Sequence, residues 1–201
     1  MPLVTVGSTA GGTRAAETAA RKQRLLSAAT ALAAEGGYDA VQMRDVAARS
    51  EVALGTIYRY FSSKDHLLAA ALVTWTNDLE RRVAQRPPKG ATPAERVGDV
   101  LLRATKAMER QPQLTEAVIL AISSPDPGAA SCQGEVAGSM ARVMDRAMPD
   151  DLDPVVRAEV TRVLNFVWYG ALLGWVNGWE GTDDVSREIT DAAHLILDPY
   201  A

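Results

Sequence analysis

"MRDVAARSEVALGTIYRYFSSKDHLL" spans residues 43–68, and its reading decides the fold. The first eight residues, 43–50, have helical spacing. A brief turn follows, then a second short helix around "LGTIYRY" (54–60), and a longer helix starts near Ser63. Two short helices joined by a tight turn form the helix-turn-helix arrangement. Val46, Ala47, Val52, Ile57 and Phe61 make one apolar seam, and Ala47 is small enough for two helices to cross closely. Leu54, Gly55, Thr56, Tyr58, Arg59 and Tyr60 are left for the outside. Gly55 costs about 1 kcal/mol of helix propensity relative to alanine. In exchange, the backbone can approach another surface closely. Thr56 and Tyr60 can offer hydroxyls to a phosphate strand, Leu54 can meet a thymine methyl, and Arg59 can reach a guanine edge or a phosphate. Lys64 and Arg44 add phosphate contacts from the first turns of their helices. Tyr58 reads equally well as a packing residue or a DNA contact.

Working outward, "ETAARKQRLLSAATALAAEGGY" (17–38) is a first helix with Leu25, Ala29, Leu32 and Ala33 on one face, and it ends at Gly36-Gly37. Residues 1–17 read as a flexible arm. "RPPKGATP" (86–93) breaks the helix that runs to about Gln85. Helices then read at 94–110, 113–122, 128–147, 154–179 and 184–197. The predicted fold is all-α: an N-terminal three-helix domain with a helix-turn-helix over 18–66, and a larger helical domain over 67–201.

Composition narrows the function. The 201 residues are 47% hydrophobic and 23% charged, as a packed globular chain is. The single cysteine, Cys132, permits no internal disulfide and fits a reducing compartment, so a cytoplasmic location is expected. With two histidines far apart in sequence, no metal site is expected. The apolar stretch 163–179 is shorter than a membrane span and contains Asn165 and Asn177, so it reads as a buried helix. Residues 1–68 carry 8 Lys/Arg against 6 Asp/Glu, whereas the remainder carries 13 against 19. The mildly basic third suits an anionic partner while the acidic rest stays clear of it. There is no Gly-rich phosphate loop, no Cys/His pair at catalytic spacing and no paired carboxylates in a plausible cleft. An enzyme is therefore not expected, nor is a cofactor.

"MRDVAARSEVALGTIYRYFSSKDHLLAAAL" (43–72) resembles the DNA-binding domain of the TetR family of bacterial repressors. The shared pattern is an apolar-Ala pair, Val, Gly-Thr-Ile-Tyr, Tyr-Phe and Lys-x-x-Leu-Leu. The resemblance implies a palindromic double-stranded DNA operator, a homodimer, and a second domain that binds a small molecule and thereby releases DNA. It also implies DNA contacts at Arg44, Leu54, Gly55, Thr56, Tyr58, Tyr60 and Lys64. Three positions depart from the family pattern. Glu51 replaces a turn glycine, at about 1 kcal/mol if its φ is positive. Ala53 replaces a capping hydroxyl residue, and Gln42 replaces a threonine. Residues 36–68, with "ATPAERV" (91–97) and "MERQPQLTEA" (108–117), further resemble an actinobacterial branch that represses sterol and cholesterol catabolism. That likeness implies a small hydrophobic effector, a steroid or fatty acyl-CoA thioester.

In the second domain, Met108, Leu114, Val118, Ile122, Met140, Met144, Phe166 and Trp168 are candidate cavity walls, although each also reads as ordinary core. Arg103, Lys106 and Arg110 are candidate partners for CoA phosphates, or a solvated charged face. Gly170, Gly174 and Gly178 recur every four residues, and with Ile189 and Ala193 they suggest a four-helix dimer interface. Two recognition helices must also reach successive major grooves about 34–36 Å apart, which again calls for a dimer. Two rival readings remain: a DNA-binding regulator that needs no small molecule, and a helical lipid carrier.

Overall fold

Four of the prolines start helices rather than merely interrupting them, and three of these follow a capping side chain. Thr92-Pro93, Asp126-Pro127 and Asp153-Pro154 each place a side-chain acceptor at the N-cap, followed by a residue whose missing N–H the first turn does not need. Thr92 Oγ1 accepts the Glu95 N–H at 3.2 Å, and Glu95 Oε2 accepts the Thr92 N–H at 3.3 Å. Asp126 accepts from Gly128 and Ala129 at 2.8 and 3.0 Å, and Asp153 accepts from Val155 and Val156 at 2.8 and 3.2 Å.

The computed structural model describes residues 9–200, which form nine α-helices and a closing 3₁₀ turn, with no strand among the described residues. The helices are α1 (Thr9–Ala40), α2 (Met43–Ser50), α3 (Leu54–Ile57), α4 (Lys64–Gln85), α5 (Pro93–Glu109), α6 (Pro112–Ile122), α7 (Pro127–Asp145), α8 (Pro154–Val176) and α9 (Thr182–Leu197). Residues 9–17, expected within a flexible arm, are helical; residues 1–8 lie outside the described residues. Gly36 and Gly37 break α1 as expected, Gly37 adopting φ 71°, and one further turn leads to α2. α8 stops three residues earlier than expected. The Trp179 N–H reaches the Gly174 carbonyl at 2.9 Å and the Gly178 N–H reaches Trp175 at 3.0 Å, with Gly178 at φ 72°. This pair of bonds is a Schellman stop, which explains Gly178 as a helix terminator rather than a packing residue.

The same motif closes α2. Val52 donates to Ala47 at 3.1 Å and Glu51 to Ala48 at 3.4 Å, with Glu51 at φ 55° and ψ 38°. Among the described residues, Glu51 is the one non-glycine with positive φ.

Apolar side chains gather in two cores. The smaller joins Leu25, Ala29, Val41, Val46, Val52, Ile57 and Phe61 to Leu67 and Leu68 of α4, and Ala117 and Ala121 of α6 complete it. The larger is built from α4–α9. α1 packs on α6, α4 lies against both α6 and α7, and α9 packs on α5 and α8. The small domain therefore does not close on itself. At the junction, His66 stands edge-on to Phe61, with ring centroids 5.3 Å apart. Its Nδ1 accepts the Ser62 N–H at 3.2 Å, so that nitrogen is unprotonated. Gly128 in the first turn of α7 abuts the same ring.

Two substitutions test these backbone assignments by thermal melting. A methyl at Gly128 would lie 2.4 Å from His66 Nδ1 and 2.7 Å from Ser62 Oγ. Gly128→Ala is expected to destabilise by about 1–3 kcal/mol; an unchanged Tm would mean that the His66 ring swings aside freely. Glu51→Gly is expected to stabilise by about 0.5–1 kcal/mol by relieving the left-handed backbone; a lower Tm would contradict that.

Candidate nucleic-acid interface and effector cavity

α2 and α3 are held to the body of the protein by Val46 and Ile57, both fully buried, with Val52 and Phe61 sealing the angle between them. Arg49 on α2 forks onto Glu35 of α1 at 2.7 and 2.5 Å, which holds the Glu35 carboxyl below its usual range. Arg24 Nε donates to the Ser50 carbonyl at 3.4 Å. With the seam inward, Arg44, Leu54, Gly55, Tyr58 and Arg59 share the exposed side, and Tyr58 is 53% exposed. A Cβ on Gly55 would meet nothing within 4 Å, so no contact within the chain requires glycine there.

α3 is a single turn. The chain continues through tighter bonds, Arg59 N–H to Thr56 at 3.2 Å and Tyr60 N–H to Ile57 at 2.8 Å. Thr56 and Tyr60 are consequently half-buried rather than fully outward, and Tyr60 packs against the small core. Neither Gln42 nor Ala53 caps its helix with a side chain. Lys64 differs most from expectation. Its ammonium donates to the Tyr38 carbonyl at 3.2 Å and lies 3.6 Å from the centroid of the Tyr38 ring, a cation–π contact. The Tyr38 hydroxyl donates to Asp65, and burial followed by this bond pushes its pKa up to about 12.

A cavity of about 850 Å³ lies among α4, α5, α6, α7 and α8. Met108, Ile122, Met140, Phe166 and Trp168 line it as expected. Leu114 and Val118 line a smaller groove of about 450 Å³ beside α1, and Met144 is sealed in the core, lining neither. Both spaces share Leu72, Trp75 and Met108 as a partition. Sequence reading missed the α4 wall, Leu72, Trp75 and Thr76. Their spacing does mark one helix face, but it does not distinguish a cavity wall from a core. It also missed the polar wall residues Gln133, Asp145, Thr161, Asn165 and Tyr169, and the arginines Arg142, Arg157 and Arg162. Arg103, Lys106 and Arg110 do not line the cavity, and Arg103 is instead paired with Asp99 at 2.8 Å. Trp168 Nε1 donates to Thr105 Oγ1 at 3.0 Å, which satisfies the one polar atom of a buried ring.

The outer face of α8 and α9 carries Val155, Val163, Phe166 and Leu195, with Trp179 beyond the end of α8; Phe166 is 66% and Leu195 81% exposed. Gly170 is exposed on this side. The other expected interface residues are placed differently. Ile189 and Ala193 are fully buried in the chain's own core, because α9 turns its apolar stripe onto α5 and α8. Gly174 is buried, and a Cβ there would approach Glu180 Oε2 at 2.9 Å. No helix of the described residues is long and apolar enough to cross a membrane. Among the described residues no group of three or more His, Cys, Asp or Glu side chains is placed to hold a metal ion.

Known proteins show the same architecture. Residues 25–71 match the family described as bacterial regulatory proteins, tetR family, and residues 90–196 match the tetracyclin repressor-like C-terminal domain. The HTH-type transcriptional repressor KstR of Rhodococcus jostii is 41% identical over 177 residues, covering 88% of this chain and 82% of the relative. A solved TetR transcriptional regulator from Rhodococcus sp. RHA1 superposes with a TM-score of 0.83 at 31% identity, covering 92% of this chain and all of that one. Thermus thermophilus FadR, a TetR-family repressor solved in complex with lauroyl-CoA, shares the fold at a TM-score of 0.66 and 18% identity, covering 87% of this chain and 92% of that one. The chain belongs to the TetR family of bacterial transcriptional regulators, DNA-binding proteins rather than enzymes.

Proposed function

We propose that this regulator is a homodimeric, cytoplasmic repressor that leaves a palindromic operator when a steroid or fatty acyl-CoA thioester enters the cavity. The observation that carries the reading is the course of α4. The helix begins at Lys64 beside the recognition segment, and its Leu72, Trp75 and Thr76 form a cavity wall. A ligand in the cavity therefore touches the element that positions the DNA-reading surface.

The lining supports the ligand class. Flexible methionines and aromatic rings suit a bulky apolar body, and the volume lies within the roughly 300–1,000 Å³ of small-molecule sites. Arg142, Arg157 and Arg162 at the α7–α8 edge suit the phosphates of a CoA group. Arg142 pairs with Glu80 at 3.0 Å and Arg157 with Asp145 at 2.7 Å, whereas Arg162 makes no ion pair among the described residues. Similarity to KstR and the lauroyl-CoA complex of the structurally related FadR agree with this class. On the DNA side, Arg44, Leu54, Gly55, Tyr58 and Arg59 form the exposed reading surface. The open space over Gly55 is where a phosphate backbone approaches. The apolar outer face of α8, with Phe166 and Gly170, is the surface for the second protomer.

A footprint on DNA upstream of this gene and its neighbours, with and without lauroyl-CoA and steroid CoA thioesters, tests the whole reading. A protected palindrome released by a thioester is expected; protection that no thioester disturbs would remove the effector. Gly55→Ala is expected to weaken operator binding by about tenfold, the loss of roughly one good contact, without lowering the Tm. Unchanged affinity would place Gly55 away from DNA. Arg162→Glu is expected to weaken acyl-CoA binding by about tenfold while leaving affinity for the free acid unchanged, as read by titration calorimetry. Equal loss for both would place Arg162 away from the CoA group.

A further inference from the structure

Two sets of polar contacts, joined by the peptide bond between Ser123 and Ser124, link the cavity to the base of the DNA-reading domain at the C-terminus of α6. On the cavity side, Tyr169 and Gln133 are wall residues. The Tyr169 hydroxyl lies 2.5 Å from Ser123 Oγ, and Gln133 Nε2 donates to the Ile122 carbonyl at 2.7 Å. Both bonds hold the last turn of α6. One residue further on, Ser124 Oγ donates to Asp65 Oδ2 at 2.6 Å, across the boundary between the two cores. The same oxygen of Ser124 accepts the Asp126 N–H at 3.2 Å, which ties the turn to the start of α7. The other carboxylate oxygen of Asp65 takes the Tyr38 hydroxyl, and Tyr38 in turn holds the Lys64 ammonium by its carbonyl and its ring.

We infer that Asp65 and Ser124 are positioning residues that transmit occupancy of the cavity to the helix-turn-helix, through Tyr38 and Lys64. The inference rests on the proposed effector reading and names the contacts through which it operates. Tyr169 and Gln133 are polar groups in a mostly apolar wall, and each makes one hydrogen bond to α6. A ligand carbonyl that takes the Tyr169 hydroxyl proton, or the Gln133 N–H now given to Ile122, displaces that bond and loosens the last turn of α6. Ser124 moves with that turn because only one peptide bond separates it from Ser123. A carboxylate that loses the Ser124 hydroxyl keeps only the Tyr38 hydroxyl, and the Tyr38–Lys64 pairing then shifts relative to α4. Lys64 is the lysine that the family resemblance places on DNA, so the relay ends at a residue whose position matters for operator binding. Apolar contacts run in parallel, since Ile119 and Ile122 face the cavity while Ala117 and Ala121 of the same helix pack on the small core. The polar relay is what makes the response sensitive to a polar group on the ligand.

Ser124 touches neither the cavity nor the DNA-reading surface, so Ser124→Ala isolates the relay. The ratio of operator Kd with and without a saturating steroid CoA thioester or lauroyl-CoA is the first readout. In Ser124→Ala it is expected to fall by about tenfold, with thioester affinity and thioester-free operator affinity each within about threefold of the parent. Ser124→Thr, which retains the hydroxyl, is expected to restore the ratio. An unchanged ratio in Ser124→Ala, or no rescue by Ser124→Thr, overturns the inference, because a purely structural serine would alter stability without altering coupling. The second readout needs no effector. Amide hydrogen exchange of residues 36–41 and of the first turn of α4 is expected to rise in Ser124→Ala, while α8 and α9 stay as in the parent. Unchanged exchange there also overturns the relay. If the unsubstituted protein is not released by either thioester, the effector reading fails, and the exchange result alone decides whether Ser124 and Asp65 link the two cores.

Discussion

Both hydrophobic cores close on one eleven-residue helix, α6. Ala117 and Ala121 present a flat, small surface that admits α1 closely, while Val118, Ile119 and Ile122 point the other way into the larger core. A helix with apolar groups on opposite sides must be buried on both, and this one is. The small domain cannot reach full burial of Leu25, Ala29 or Leu68 without it. The DNA-reading end therefore inherits the position of α6, which itself forms part of the cavity wall.

The junction is held mainly by apolar packing rather than by ion pairs. The helix is short, begins at Pro112 and ends in the turn Ser123–Ser124–Pro125. Most ion pairs on the molecule are at least half-exposed on one side, such as Arg81–Asp78 and Arg187–Asp184, and exposed pairs add little stability. What holds the two parts in register is apolar contact along α1, α4 and α6, together with the partly buried bonds around Asp65 and the His66 ring wedged against Gly128.

The exposed side of the helix-turn-helix was largely legible in the sequence because it is local. Val46, Val52, Ile57 and Phe61 identify the inward side within twenty residues of chain, and whatever remains faces out. Lys64 and Tyr60 escaped that logic. Their side chains are long enough to turn back to partners that the motif does not contain, Tyr38 for one and the small core for the other. The cavity was less legible. Met108, Met140 and Trp168, large or flexible, line the cavity, yet Met144, of the same kind, is packed solid. Ile189 and Ala193 belong to a true amphipathic stripe, which suggests an interface. The stripe is satisfied within the chain, and a stripe alone does not say whether its neighbour is the same chain or another.

The sequence by itself determined the elements: the nine helices among the described residues, the break at Gly36-Gly37, the helix-turn-helix, and the family. Each of these depends on backbone geometry or on side chains a few residues apart, and such information is written contiguously. Only the tertiary structure decided where the empty space lies, which arginines edge it, which apolar face is left uncovered, and that Asp65 meets Ser124 from fifty-nine residues away. Those features arise from the crossing of α4, α6, α7 and α8. A cavity is the volume that several helices fail to fill together, and no single helix carries the pattern of that volume in its own residues.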